Sequence, residues 1–309
     1  MLGMVWVAFD SKANRQQGRS EAIQLNHIIV ATDFSTHSDT AIRHGIAIAR
    51  STGATLRVVH VVETSEDCWG PLRSALEHWQ AEVERRLAQQ IRAHTSHDIE
   101  LAQEIVDAPS VAEGLQSVAN TYHADLLIVG SRGLTGLKQT FLGSSARRAL
   151  RTVETDVMVA RGEAPATIGY QRVLIPTDFS LPAEKALQLA LALAAPEARF
   201  DLVHFWTVPE AARADEHSES VIDTPAASVK ERGRKLLESF QQDAPNAIFS
   251  PIRASPERGI AERLESGDYD LVAVGTYGRS KLRRWLLGSV AETTARIAPC
   301  AVAVARPDS

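Results

Sequence analysis

Two stretches of this chain repeat one another at a constant spacing. Residues 28–35 read IIVATDFS and residues 173–180 read VLIPTDFS, which puts Asp33 and Asp178 145 positions apart. Gly130 and Gly275, Gly133 and Gly278, and Gly143 and Gly288 keep that same separation. Chance similarity does not hold register over such a distance, so the chain is a duplication. Each copy must then fold as a unit of ordinary domain size, about 100–150 residues.

Within each copy, apolar β-rich runs alternate with helical patterns. In the first, strands are expected at 28–32, 56–62, near 100–106, at 125–130 and at 156–160. Helices fall at 38–50, 75–91, 110–122 and 144–152; Leu76, Trp79, Val83, Leu87 and Ile91 show the spacing of an amphipathic helix. The second copy repeats the order, with strands at 172–176, 200–206, 248–252, 270–275 and 300–305. Its helices fall at 182–195, 226–241, 257–265 and 289–297. Near-continuous apolar strands separated by helices predict parallel sheets covered on both faces. The expected fold is therefore α/β, two tandem doubly wound domains with a five-stranded sheet in each. Residues 1–24 read as an N-terminal extension, 25–163 as the first domain and 170–307 as the second, with EAPATIG (163–169) as a linker.

Each copy also carries a loop written G-x-x-G-x9-G-S, running from a strand end to a helix start. Ligands of open parallel sheets bind beyond the carboxyl ends of the strands. Gly130 and Gly275, without a Cβ, would let the backbone take positive φ and approach a ligand closely. Gly143-Ser144 and Gly288-Ser289 precede helices, whose free N–H groups suit a phosphate; the serine hydroxyl would cap the helix or bond a phosphate oxygen. Asp33 and Asp178 read either as acceptors for ribose hydroxyls or as Asx-type turns ahead of a helix.

These features resemble a tandem universal stress protein of the nucleotide-binding branch. GSRGLTGLKQTFLGS and GTYGRSKLRRWLLGS are similar to that family's ATP-binding signature. The resemblance implies a Rossmann-like strand order of 3-2-1-4-5, bound ATP, AMP or ADP with Mg2+ as an allowed companion, and pairing of the two domains through strands 156–160 and 300–305. It implies ligand contacts at Ala31, Thr32, Asp33, Val61, Gly130, Arg132, Gly133, Gly143, Ser144 and Ser145. In the second copy the same positions are Pro176, Thr177, Asp178, Phe205, Gly275, Gly278, Arg279, Gly288, Ser289 and Val290. Val61 and Phe205 follow the histidine of the second strand, where the family sets backbone against adenine; a phenyl ring there would stack on the base or crowd it.

The family's G-x-P after the third strand appears as DAP (107–109) and ASP (254–256), with the glycine lost. Arg279, Lys281, Arg283 and Arg284 make the second loop more cationic than the first, which has Lys138, and favour triphosphate there, although Arg283 and Arg284 read first as solvated surface charges. The expected function is a cytoplasmic stress-response module regulated by adenine nucleotide. The alternatives are slow ATP hydrolysis, with Asp33 or Asp178 positioning Mg2+ or water, and a pseudo-dimer in which one site alone works. A further homodimer remains open.

Other classes recede. A formal net charge of -5 provides no basic field for nucleic acid, and the apolar segment 1–9 is far too short to span a membrane. Walker A and G-x-S-x-G motifs are absent from the sequence. His94 and His97 lack the further ligands of a metal site, and Cys68 and Cys300 form no framework. His60 and His204 read as hydrogen-bonded structural histidines.

Overall fold

The computed structural model describes residues 23–64, 73–94, 99–133, 142–166, 169–207, 219–277 and 287–307. The first half runs β1 (His27–Ala31), α1 (Thr36–Thr52), β2 (Thr55–Glu63), α2 (Arg73–Arg92), β3 (Leu101–Ala108), α3 (Val111–Thr121), β4 (Leu126–Gly130), α4 (Ser144–Thr152) and β5 (Asp156–Ala160). The second runs β6 (Tyr170–Pro176), α5 (Leu181–Leu193), β7 (Ala194–Trp206), α6 (Glu219–Phe240), β8 (Ala247–Arg253), α7 (Pro256–Ser266), β9 (Leu271–Gly275), α8 (Ser289–Ile297) and β10 (Ala301–Ala305).

Strands within each half are parallel, in the expected order 3-2-1-4-5. The halves join where β5 meets β10 antiparallel, with Ala303 opposite Met158, to make one ten-stranded sheet. Alternation along the strands sends Ile28, Val30, Leu56 and Val58 to one face, with Ile42, Ile46 and Leu87 of α1 and α2. Ile29, Val59, Leu127 and Val129 go to the other, with Leu115, Val118 and Leu150 of α3 and α4. Among the described residues, no helix is long and apolar enough to cross a membrane.

Element limits differ from the sequence reading mainly at the start of the second half. A helix over 182–195 and a strand from 200 were expected, but α5 stops at Leu193 and the chain turns directly into β7 at Ala194. The first residues of β7 pair with Tyr170, and the register shifts before Arg172. Gly169 makes that approach feasible: at φ 79° a Cβ would stand 2.5 Å from the Ala194 carbonyl carbon.

Gly130 and Gly275 correct a second expectation. Neither takes positive φ. A Cβ on Gly130 would lie 2.8 Å from the backbone carbon and oxygen of His37, and one on Gly275 2.6 Å from the carbonyl carbon of Pro182. Both glycines let the first turn of α1 or α5 sit directly on the strand end, so their immediate task is helix-on-strand packing. Gly275→Ala is expected to destabilise by about 2–3 kcal/mol, because backbone cannot swing aside as a side chain can. Urea denaturation checks this; a change near zero would show that the helix start yields.

Two arginines cross between the halves. Arg161, just after β5, donates from Nη1 to the carbonyls of Arg296 (3.1 Å) and Ala298 (2.5 Å) at the end of α8. Arg306, just after β10, donates from Nη2 to the carbonyls of Ala149 (3.3 Å) and Leu150 (2.6 Å) near the end of α4. Each half therefore supplies the C-terminal cation for the loop helix of the other, where the helix dipole favours positive charge.

Candidate functional site

The fold draws each glycine loop closed at the carboxyl edge of the sheet. Gly143 N–H donates to Ser131 O at 2.9 Å, and Gly288 N–H donates to Thr276 O at 2.6 Å. Gly143 approaches so near that a Cβ would lie 3.1 Å from Arg132 Cα. These glycines are themselves the N-caps of α4 and α8, and neither helix start has a side-chain cap. Ser144 and Ser289 are the first helical residues rather than the caps. First-turn N–H groups of a helix have no intrahelical acceptor.

The aspartates do what the turn reading expects. Asp33 Oδ1 accepts from Ser35 N–H at 3.1 Å, and Asp178 Oδ1 accepts from Ser180 N–H at 3.0 Å. Ser35 and Ser180 in turn cap α1 and α5. The residues between, Phe34 and Phe179, are held at φ 63° and 59°, a left-handed conformation that is costly for a large side chain. The turn uses one carboxylate oxygen. Oδ2 of Asp33 faces the loop, 2.6 Å from where a Gly133 Cβ would be.

Two cavities open between these parts. The first, about 120 Å³, is lined by Ala31, Thr32, Asp33, Val61, Gly130, Arg132, Gly133, Gly143, Ser144 and Ser145, every first-copy position singled out in the sequence. The second, about 430 Å³, is lined by Pro176, Thr177, Asp178, Phe205, Gly275, Gly288, Ser289 and Val290. Gly278 and Arg279 lie outside the described residues, as do Lys138, Lys281, Arg283 and Arg284. Sequence reasoning missed several apolar walls: Val111, Leu115 and Val129 in the first cavity, and Ala183, Pro256, Val274 and Leu287 in the second. Their signal, apolar residues at strand ends and helix starts, is shared with every core residue.

Phe205 lines the larger of the two cavities. Its ring is only 8% exposed and lies on Gly259, where a Cβ would stand 2.2 Å from Cε1. Val61 lies on Gly114 in the same way. This equivalence corrects the alignment of the two proline motifs. Ser110 and Ser255 are the N-caps of α3 and α7, so Pro256 is the first residue of its helix and corresponds to Val111, not to Pro109.

His60 and His204 behave as structural groups. Each Nδ1–H donates to the carbonyl at the end of the neighbouring strand, Thr32 O at 2.8 Å and Thr177 O at 2.7 Å. Phe34 lies over His60 and Phe179 over His204, with ring centroids 4.4 and 4.9 Å apart. Arg86 and Arg232 cover the outer faces of the two phenyl rings, a repeated stack that pattern reading did not find. Burial lowers the pKa of His60. Burial, and then the Arg132 guanidinium, lower that of His37, with the Asp33 carboxylate opposing. His94 Nε2 meets Asp39 Oδ1 at 3.0 Å, while His97 and Cys68 lie outside the described residues. Among the described residues, no group of three or more His, Cys, Asp or Glu is placed to hold a metal ion. Burial pushes the Cys300 thiol up to about 12.

The sequence profile of the universal stress protein family matches residues 24–161 and again 169–306. The chain belongs to the universal stress protein family. Relatives within it share the tandem length. A universal stress protein of Mycolicibacterium smegmatis is 29% identical over 307 residues, covering 91% of this chain and 97% of its own. One of Mycobacterium tuberculosis is 29% identical over 306 residues, covering 90% and 96%. The crystal structure of a universal stress protein from Archaeoglobus fulgidus superposes with a TM-score of 0.66 at 20% identity, covering 92% of this chain and 99% of that one, which supports the same fold. In this family member the two domains complete one continuous sheet within a single chain.

Proposed function

We propose that this universal stress protein is an adenine-nucleotide-binding regulatory module whose second-half cavity is the principal site. The observation that carries the reading is that cavity of about 430 Å³. It falls in the range of small-molecule sites, about 300–1,000 Å³. Asp178, the uncapped start of α8, and the apolar residues Phe205, Val274 and Leu287 all line it. Apolar walls suit a base, Asp178 suits ribose hydroxyls and the α8 N–H groups suit phosphate. ATP, ADP and AMP have all three parts, and Mg2+ would accompany the longer phosphate chains.

The first cavity, at about 120 Å³, is below the usual range for a ligand of this size. It favours a division of labour in which the first half serves chiefly as pseudo-dimer partner. Chromatography of the supernatant after denaturing purified protein identifies any ligand carried through purification, and calorimetry measures rebinding. Asp178→Asn keeps an acceptor for the Ser180 turn but removes the charge; it is expected to weaken binding about tenfold or more, as loss of a charged hydrogen bond does. Asp33→Asn should change affinity by less than about twofold. Absence of adenine nucleotide from the supernatant together with no calorimetric binding would end the proposal.

A further inference from the structure

Resting on that reading, we propose that Glu257 limits the charge of the ligand taken by the second cavity, favouring the monophosphate or nucleoside over the triphosphate. Ser289 is where the loop sequence places a hydroxyl for phosphate. Its Oγ lies 3.0 Å from Oε1 of Glu257, in the first turn of α7. A carboxylate only accepts, so the serine proton points at Glu257 and is spent there. A phosphate oxygen arriving at the start of α8 meets a hydroxyl turned away and a negative charge behind it. Glu292, in the first turn of α8, adds little to that charge, because Arg151 of the first half pairs with its carboxylate at 2.9 Å.

The first half lacks this contact. Position 112, one repeat before Glu257, is alanine, and position 147, one repeat before Glu292, is arginine. Helix α4 has no acidic residue in its first turn. Arg132 lines the first cavity where Tyr277 lines the second. Among the described residues, the two helix starts therefore differ in one carboxylate, Glu257, which holds the Ser289 hydroxyl directly. The cations of segment 278–286 belong to the same half in sequence. Changing Glu257 alone, against ligands that differ only in phosphate charge, separates its contribution from theirs.

The test is calorimetry of full-length protein with adenosine, AMP and ATP, in an Asp33→Asn background that weakens the first site. Glu257→Gln keeps an acceptor for Ser289 and removes one negative charge. It is expected to tighten ATP about tenfold, AMP about threefold and adenosine less than twofold, a graded response because Coulomb repulsion scales with ligand charge. Raising salt should shrink the wild-type disadvantage of ATP in the same order. Equal changes for all three ligands, or no tightening of ATP, would overturn the role of Glu257. Failure of every adenine ligand to bind wild-type protein would instead overturn the nucleotide reading.

Discussion

Acidification from pH 6.5 to about 4 is expected to remove about 3 kcal/mol of stability through one buried pair, His44 and Tyr170. His44 Nδ1 lies 2.6 Å from the Tyr170 hydroxyl, and both side chains are fully buried. The contact ties α1 of the first half to the opening strand of the second. Burial lowers the His44 pKa from 6.5 to about 4, with a backbone hydrogen bond to Gly162 opposing that shift and Arg43 adding to it. The unfolded chain takes up a proton below pH 6.5, while the folded chain resists until about 4. The unfolded state therefore binds more protons in that window. Stability contributed by the neutral imidazole is complete above pH 6.5 and is lost as pH falls, by about 2 kcal/mol at pH 5.

The repeat supplies its own control for this effect. One repeat away, the positions of His44 and Tyr170 hold Leu189 and Leu25, both buried in the same apolar layer. The double variant His44→Leu, Tyr170→Phe should therefore fold and lose most of this acid sensitivity. Urea midpoints at pH 7.5 and pH 5 for both proteins decide the matter, since titrations common to both cancel in the difference. Parallel pH slopes would rule out His44 as the source.

Arg306→Ala is expected to destabilise the protein by about 2–3 kcal/mol, the scale of removing a charged hydrogen-bond donor from buried partners. Arg306 is 8% exposed, and its guanidinium bonds the carbonyls of Ala149 and Leu150 across the boundary between halves. Its backbone N–H also donates to Asp156 Oδ1 at 2.7 Å, a bond that the variant keeps. Arg306→Lys should recover part of the loss with a single compact donor. Arg161→Ala should cost less, because Arg161 is only half-buried. Denaturation curves measure all three, with the surface variant Arg258→Ala as reference. If Arg306→Ala matched that reference, the crossed cap would have no energetic weight.

The duplication, the succession of strands and helices and the loops were legible because they are local or periodic, while the strand order came from the family resemblance. A glycine triplet at fixed spacing, an alternating apolar run and an Asp-Phe-Ser turn act within a few residues of themselves, and the second copy checks the first. The Asx turns at Asp33 and Asp178 followed from that local pattern. The reason for Gly130 and Gly275 did not, because it lies in the backbone of His37 and Pro182, brought there by packing of α1 and α5. Pro109 and Pro256 looked equivalent in the chain, and only the helix starts at Ser110 and Ser255 separated them.

The amino-acid sequence by itself determined that this protein is two copies of one α/β unit, each with a glycine loop ahead of a helix and an aspartate after the first strand. Hydrophobic period, turn chemistry and repeat spacing are properties of neighbouring residues, and they need no partner from elsewhere in the chain. The tertiary structure decided how unlike the two cavities are: about 120 Å³ against 430 Å³, with Glu257 on Ser289 in one half only. It also decided that Arg161 and Arg306 exchange helix ends and that His44 meets Tyr170. Those contacts join residues more than a hundred positions apart, and their strength depends on burial and distance, which exist only once the sheet has closed across β5 and β10.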